Sequence, residues 1–196
     1  MGWISHGAQR PVAEHLAHRA VELDESDPWA YMALGYLAFV ARQTDEALRR
    51  YFAAAHRNPN FAPAYGYAGW AQAHDGRSEA AIENLVKAIR LSPRDPFNVF
   101  YAAGFAAAYY TAGRYAEAIE WARQALMLRP GHLGARRKLC ASLAQAGLLE
   151  EAHTEMARLR ELQPNLSLAW IKQSVPYTAG PMERFLEGMR KAGLKD

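Results

Sequence analysis

Residues 99–130 read VFYAAGFAAAYYTAGRYAEAIEWARQALMLRP: an apolar run rich in alanine, a glycine at 113, an amphipathic run and a closing proline. The same layout occurs three more times. Residues 28–59 read PWAYMALGYLAFVARQTDEALRRYFAAAHRNP, residues 62–93 read APAYGYAGWAQAHDGRSEAAIENLVKAIRLSP, and residues 133–164 read LGARRKLCASLAQAGLLEEAHTEMARLRELQP. The closing prolines, Pro59, Pro93, Pro130 and Pro164, are spaced by 34, 37 and 34 residues. A fixed period of about 20–50 residues is the signature of a repeat architecture, in which each unit buries its apolar face against its neighbours.

The register inside each unit says what the units are. Counted from Pro28, Ala62, Val99 and Leu133, the eighth residue is always small: Gly35, Gly69, Ala106 and Cys140. The twentieth is Ala47, Ala81, Ala118 and Ala152, and the twenty-seventh is Ala54, Ala88, Ala125 and then Leu159. Small side chains at fixed points let two helices approach closely. Larger ones between them, such as Leu34, Tyr51, Leu85, Phe105, Tyr109, Leu139 and Met156, fill the gaps. Gly76, Gly113 and Gly147 fall between the two helices of a unit, where a positive φ is needed, and the first unit carries Arg42-Gln43 there. The three extra residues of the 37-residue step lie in RDPFNV. Asp95 as a cap and Pro96 in a first turn predict one added turn on the following helix.

The patterns W/Y-x-x-L-G and G-x-Y-x-E-A with a terminal proline, clearest in YMALG and GRYAEAIEWARQALMLRP, resemble the tetratricopeptide repeat (TPR) family. That resemblance implies an all-α, right-handed superhelix with units at 28–61, 62–95, 96–132 and 133–166. In VAEHLAHRAVELDESDP, Ala13 and Ala20 match the twentieth and twenty-seventh positions, so a partial unit with a helix over 11–23 is expected in 1–27. Residues 167–196 are expected to hold a second partial unit, opened by Trp170, and a capping helix over 181–192. There Met182, Phe185, Leu186 and Met189 share a face opposite Glu183, Glu187, Arg190 and Lys191. The segments LDESDPWAYMALGYL and VPY…ERFLEGMRKAGL are also similar to repeat regions of bacterial class III adenylate/guanylate cyclases and winged-helix regulators. No cyclase catalytic domain and no winged helix can be read in the chain.

Chemistry is scarce in this sequence. Its 196 residues are 51% hydrophobic and 22% charged, with 23 basic and 20 acidic residues dispersed along the chain. That balance suits a folded protein without a nucleic-acid footprint. There is no G-x-x-x-x-G-K-[ST], no G-x-G-x-x-G after a strand and no C-x-x-C. His15 and His18 share a helix face without a third ligand, and His56, His132 and His153 fall on different helices, so no metal or other cofactor is expected. Glu150-Glu151 and Asp45-Glu46 sit where carboxylates favour the positive end of a helix rather than catalysis. Cys140, the single cysteine, reads as a packed thiol of a reducing compartment. MGWISHGAQR lacks a signal-peptide layout, and His6 stands where an acylation motif wants Ser or Thr. No apolar run is long enough to span a membrane, so a cytoplasmic location is expected.

The TPR resemblance assigns a role by residue. In that family the first helix of each unit lines a concave face through its second, fifth, sixth, ninth, twelfth and thirteenth positions. Here these include Trp29, Met32, Tyr36, Phe39 and Val40 from the first unit and Tyr67, Trp70 and His74 from the second. Phe100 and Tyr110 come from the third, Arg137 and Lys138 from the fourth. The resemblance implies a non-catalytic scaffold that binds an apolar protein or peptide segment on an aromatic floor with a basic end. A part of a larger signalling protein, such as a nucleotide cyclase, and a self-associating module or homodimer are the alternatives. The expected cover for such a floor is an apolar helix from a partner, a second copy or the chain's own N-terminal segment. Pentatricopeptide RNA binders are disfavoured, because the lining is aromatic and the period differs.

Overall fold

The computed structural model describes residues 10–195. The readings of the first residues as free of a signal or acylation motif lie outside that range. Among the described residues there are eleven α-helices and no strand. After α1 (Arg10–Leu23) come four helix pairs: α2 (Pro28–Val40) with α3 (Thr44–Arg57), α4 (Ala62–His74) with α5 (Ser78–Leu91), α6 (Asn98–Thr111) with α7 (Tyr115–Leu128), and α8 (Leu133–Gln145) with α9 (Leu149–Leu162). Then follow the short α10 (Leu168–Ser174) and α11 (Ala179–Lys191). Each pair packs antiparallel and stacks on the next, a right-handed superhelix with α2, α4, α6 and α8 side by side on the inner face.

The small-residue register is the close-packing surface. Ala47, Ala81, Ala118, Ala152, Ala54, Ala88, Ala125 and Leu159 are all fully buried. A Cβ on Gly35 would lie 2.4 Å from the Tyr51 ring, and one on Gly69 would lie 2.7 Å from the Ala81 carbonyl oxygen. The eighth position is therefore where one helix of a pair rests on the other. The central first helices, α4 and α6, are apolar nearly all round because they have neighbours on every side.

Each first helix ends in the same way. The backbone N–H of Gln43, Arg77, Arg114 and Leu148 donates to the carbonyl of Ala38, Gln72, Tyr109 and Leu143, at 3.0, 2.9, 2.9 and 2.9 Å. This six-to-one bond needs a left-handed residue just before the donor. Gly76, Gly113 and Gly147 supply it at φ of 81°, 77° and 81°, and in the first unit Arg42 adopts φ 62° instead.

Two expectations are corrected. The extra residues of the third unit do not add a helical turn: α6 begins at Asn98 and has 14 residues, against 13 for α2, α4 and α8. They form a tight turn over residues 93–97 in which the Asp95 carboxylate accepts from the Phe97 N–H at 2.8 Å, and the turn delivers the Phe97 ring to the inner face. Among the described residues, a strip of that face is covered by the C-terminal end of the chain, an occupant the expectation did not include. The capping helix α11 lies along α8 and reaches back towards the second unit, burying Met182, Phe185, Leu186 and Met189. Such side chains contribute about 1.5–3 kcal/mol each when fully buried.

Candidate functional site

The inner face is divided lengthwise into a covered strip and an open one. Over the C-terminal ends of the first helices runs a strap, residues 175–191. Val175 and Lys172 offer their carbonyls to the Arg42 guanidinium, and the Thr178 N–H donates to the His74 carbonyl at 3.1 Å. Pro181 lies against Gly76, while the Tyr110 hydroxyl donates to the Arg184 carbonyl at 2.7 Å and Arg184 reaches the Thr111 carbonyl. Gly188 seats on Ala141, where a Cβ would come within 3.1 Å of the Ala141 carbonyl oxygen and 2.5 Å of the Tyr110 hydroxyl.

The residues expected to form an open floor fall into two groups. Met32, Phe39, Trp70, His74, Tyr110, Arg137 and Lys138 are buried, the last five under or beside the strap. Trp29 is 49% exposed, and Tyr36, Val40, Tyr67 and Phe100 are half-buried. The rings of the second group, with Phe97, make a continuous aromatic strip over the N-terminal and middle turns of the first helices, and Val40 lies at the C-terminal end of α2. Trp29 and Phe97 have ring centroids 5.8 Å apart, Tyr67 and Phe97 6.1 Å, Phe97 and Phe100 6.0 Å, and Tyr36 and Tyr67 6.4 Å. Sequence register cannot find Phe97, because it belongs to the insertion and to no repeat position. The contact residues of the strap, Val175, Tyr177 and Gly188, are missed for the same reason.

Electrostatics concentrate at the covered strip. Burial pushes Lys138 from its ordinary range down to about 7, with the neighbouring Arg137 charge adding to the effect. Arg137 itself falls to about 10 through burial. His74 is held well below its usual value by burial and the Lys138 charge, and His132 falls to about 4 for the same reasons. Burial raises the Cys140 thiol to about 12, the opposite of what a nucleophile needs. His15, His18 and His153 are exposed, and no cluster of three metal-ligating side chains occurs among the described residues.

Comparison with known proteins meets this geometry at the repeat. Two family models described as tetratricopeptide repeat match residues 62–95 and 109–173, together half of the chain. The chain belongs to the tetratricopeptide repeat family. Both matched models describe the repeat alone, and the likeness to cyclase and winged-helix repeat regions has no counterpart in them. No curated protein matches the chain in sequence. Among solved structures, the thermophilic TPR protein TTC0263 of Thermus thermophilus is 22% identical with a TM-score of 0.69, covering 93% of this chain and 91% of that one. PilW, a type IV pilus biogenesis factor, is 16% identical with a TM-score of 0.71, covering 93% and 81%. YrrB, described as a TPR protein with an unusual peptide-binding site, is 22% identical with a TM-score of 0.57, covering 90% of each chain. At these identities the likeness is one of fold. No helix among the described residues is long and apolar enough to cross a membrane.

Proposed function

We propose that this TPR protein is a non-catalytic protein-interaction scaffold whose concave face receives an apolar helical or extended segment of a partner. The observation that carries this reading is the open aromatic strip. A half-exposed tryptophan flanked by four further rings, all on the inner face of a superhelix, leaves apolar area in water that packing does not require. Rings of this kind anchor interfaces because they supply large contact area at little entropic loss. The fold likeness to YrrB, a TPR protein with an unusual peptide-binding site, supports the choice of ligand class.

Self-association through the same strip is the competing reading, and one pair of measurements separates the two. Peptides selected from a random display library on the immobilised chain are expected to compete with one another for one site. Trp29→Ala combined with Phe100→Ala is expected to weaken them by about 30-fold, the loss of about 2 kcal/mol typical of aromatic anchors, with helical content unchanged. A light-scattering mass of two chains that falls to one in the double variant would transfer the strip to a homodimer.

A further inference from the structure

The second helices α3, α5, α7 and α9 run in one direction, because each pairs antiparallel with the helix before it, and their two ends differ in charge. Near their starts the carboxylates are matched: Glu46 with Arg49 and Arg50, Asp45 with Arg77, Glu117 with Arg114, and Glu151 with Arg123. At the opposite edge Lys87, Arg90, Arg94 and Arg129 are exposed, and none has a carboxylate partner among the described residues. Lys87 stands over the Tyr65 ring at 3.9 Å and Arg129 over the Phe100 ring at 5.3 Å. The acids of that edge are engaged or lie apart. Asp24, Asp27 and Asp95 accept the backbone N–H of Ser26, Trp29 and Phe97 at 2.8, 2.9 and 2.8 Å, and the exposed Glu25 and Glu161 stand towards the two ends of the row.

On the same edge, α7 ends in Met127 and Leu128, which are 79% and 56% exposed. Met127 is the most exposed large apolar side chain among the described residues. Packing of the stack does not ask for this, because Leu91, at the position of Leu128 one unit earlier, is half-buried against the core. A helix C-terminus favours a cation, which accounts for an arginine at each end. It gives no account of two adjacent apolar side chains held in water between cations. They project from a helix end rather than line a groove.

We propose that this edge, with Met127 and Leu128 at its tip and Lys87, Arg90, Arg94 and Arg129 along it, docks on the surface of an anionic lipid bilayer. Such a surface matches both parts of the patch: cations meet the headgroup anions, and the two apolar side chains enter the layer beneath. Each cation near the surface strengthens binding about fivefold, and salt weakens the attraction. A soluble polyanion would use the charges and leave the apolar pair in water. The proposal does not depend on the scaffold reading, and the patch meets the aromatic strip where Arg129 touches Phe100.

Co-sedimentation of the full chain with vesicles tests it. Mixed phosphatidylcholine and phosphatidylserine vesicles should carry the chain down at low salt, pure phosphatidylcholine should not, and about 0.5 M salt should release it. Met127→Ser combined with Leu128→Ser alters side chains already in water and should weaken binding about tenfold or more. Arg90→Gln combined with Arg94→Gln should weaken it about 25-fold. Lys172→Gln combined with Arg190→Gln removes the same charge elsewhere and should leave binding nearly unchanged; an equal loss would show that net charge alone acts and would overturn the proposal. Met127→Cys, labelled with a polarity-sensitive dye that the buried Cys140 does not take up, should shift its emission to the blue on the mixed vesicles. No binding to those vesicles, unchanged binding in the serine variant, or an unshifted emission would each overturn the proposal. Capture of polyglutamate or of a single-stranded oligonucleotide that depends on the arginines but not on Met127 and Leu128, without vesicle binding, would reassign the edge to a soluble polyanion. Trp29→Ala combined with Phe100→Ala should bind vesicles as the natural chain does, so the two readings fall separately.

Discussion

Arg42 stands where three other units carry glycine, in a left-handed conformation that costs a residue with a Cβ about 1–2 kcal/mol. Its guanidinium holds the carbonyls of Lys172 and Val175, 130 and 133 residues away. Arg42→Gly should leave the melting temperature nearly unchanged, because relief of strain and loss of two hydrogen bonds offset each other. Amide hydrogen exchange across residues 172–178 should become at least fivefold faster in that variant, and unchanged exchange would show that the arginine does not hold the strap. Lys138 makes the opposite kind of demand. Its folded pKa of about 7 lies below the ordinary 10.5, so between those values the unfolded chain binds the extra proton and stability rises with pH. Lys138→Met should remove that slope. The variant should be more stable by a few kcal/mol at and below pH 7, on the order expected for a shift of this size, and the difference should shrink towards pH 10.5. A melting-temperature difference independent of pH would mean that the amine is charged in both states.

Among the elements, α11 shows how one glycine sets a helix-to-helix distance. Gly188 meets Ala141 and the Tyr110 hydroxyl so closely that a Cβ there must displace the hydroxyl and crowd the Ala141 backbone on α8. Gly188→Val should cost about 1–3 kcal/mol, the usual range for overpacking, and should raise exchange in α11 well before that in α4 and α5. Exchange rising uniformly along the chain would show that α11 is not a separable element. The helix pairs themselves are legible residue by residue. Gly35 against Tyr51 and the buried alanines at the twentieth position follow from spacing, because the contact between the two helices of a pair is local and repeats. The 93–97 turn is not legible in that way. Asp95 and Pro96 suit a helix start and a turn equally, and the choice falls to Phe97, whose half-buried ring packs on Trp29, Tyr67 and Phe100.

At the scale of the molecule, a repeat stack has contacts mainly between neighbours, and its stability is close to a sum of unit and interface terms. The strap departs from this by tying the α2–α3 turn to the last units. Removing residues 175–196 should lower the melting temperature by more than about 5 °C, given about 2–4 °C for each kcal/mol in a chain of this size. It should also split a single calorimetric transition into an earlier loss of α8 and α9 and a later loss of the units before them. One sharp transition in the shortened chain would mean that cooperativity resides in the repeats alone. The sequence by itself determined the period, the pairing of helices, the turn glycines and the amphipathic last helix, because each depends on residues within one unit or on one helix face. Only the tertiary structure decided which part of the inner face stays open, that Tyr177 roofs Lys138, and that Phe97 joins the aromatic strip. Those outcomes depend on where the chain returns after its last repeat, a choice between surfaces of similar apolar character that no local pattern encodes.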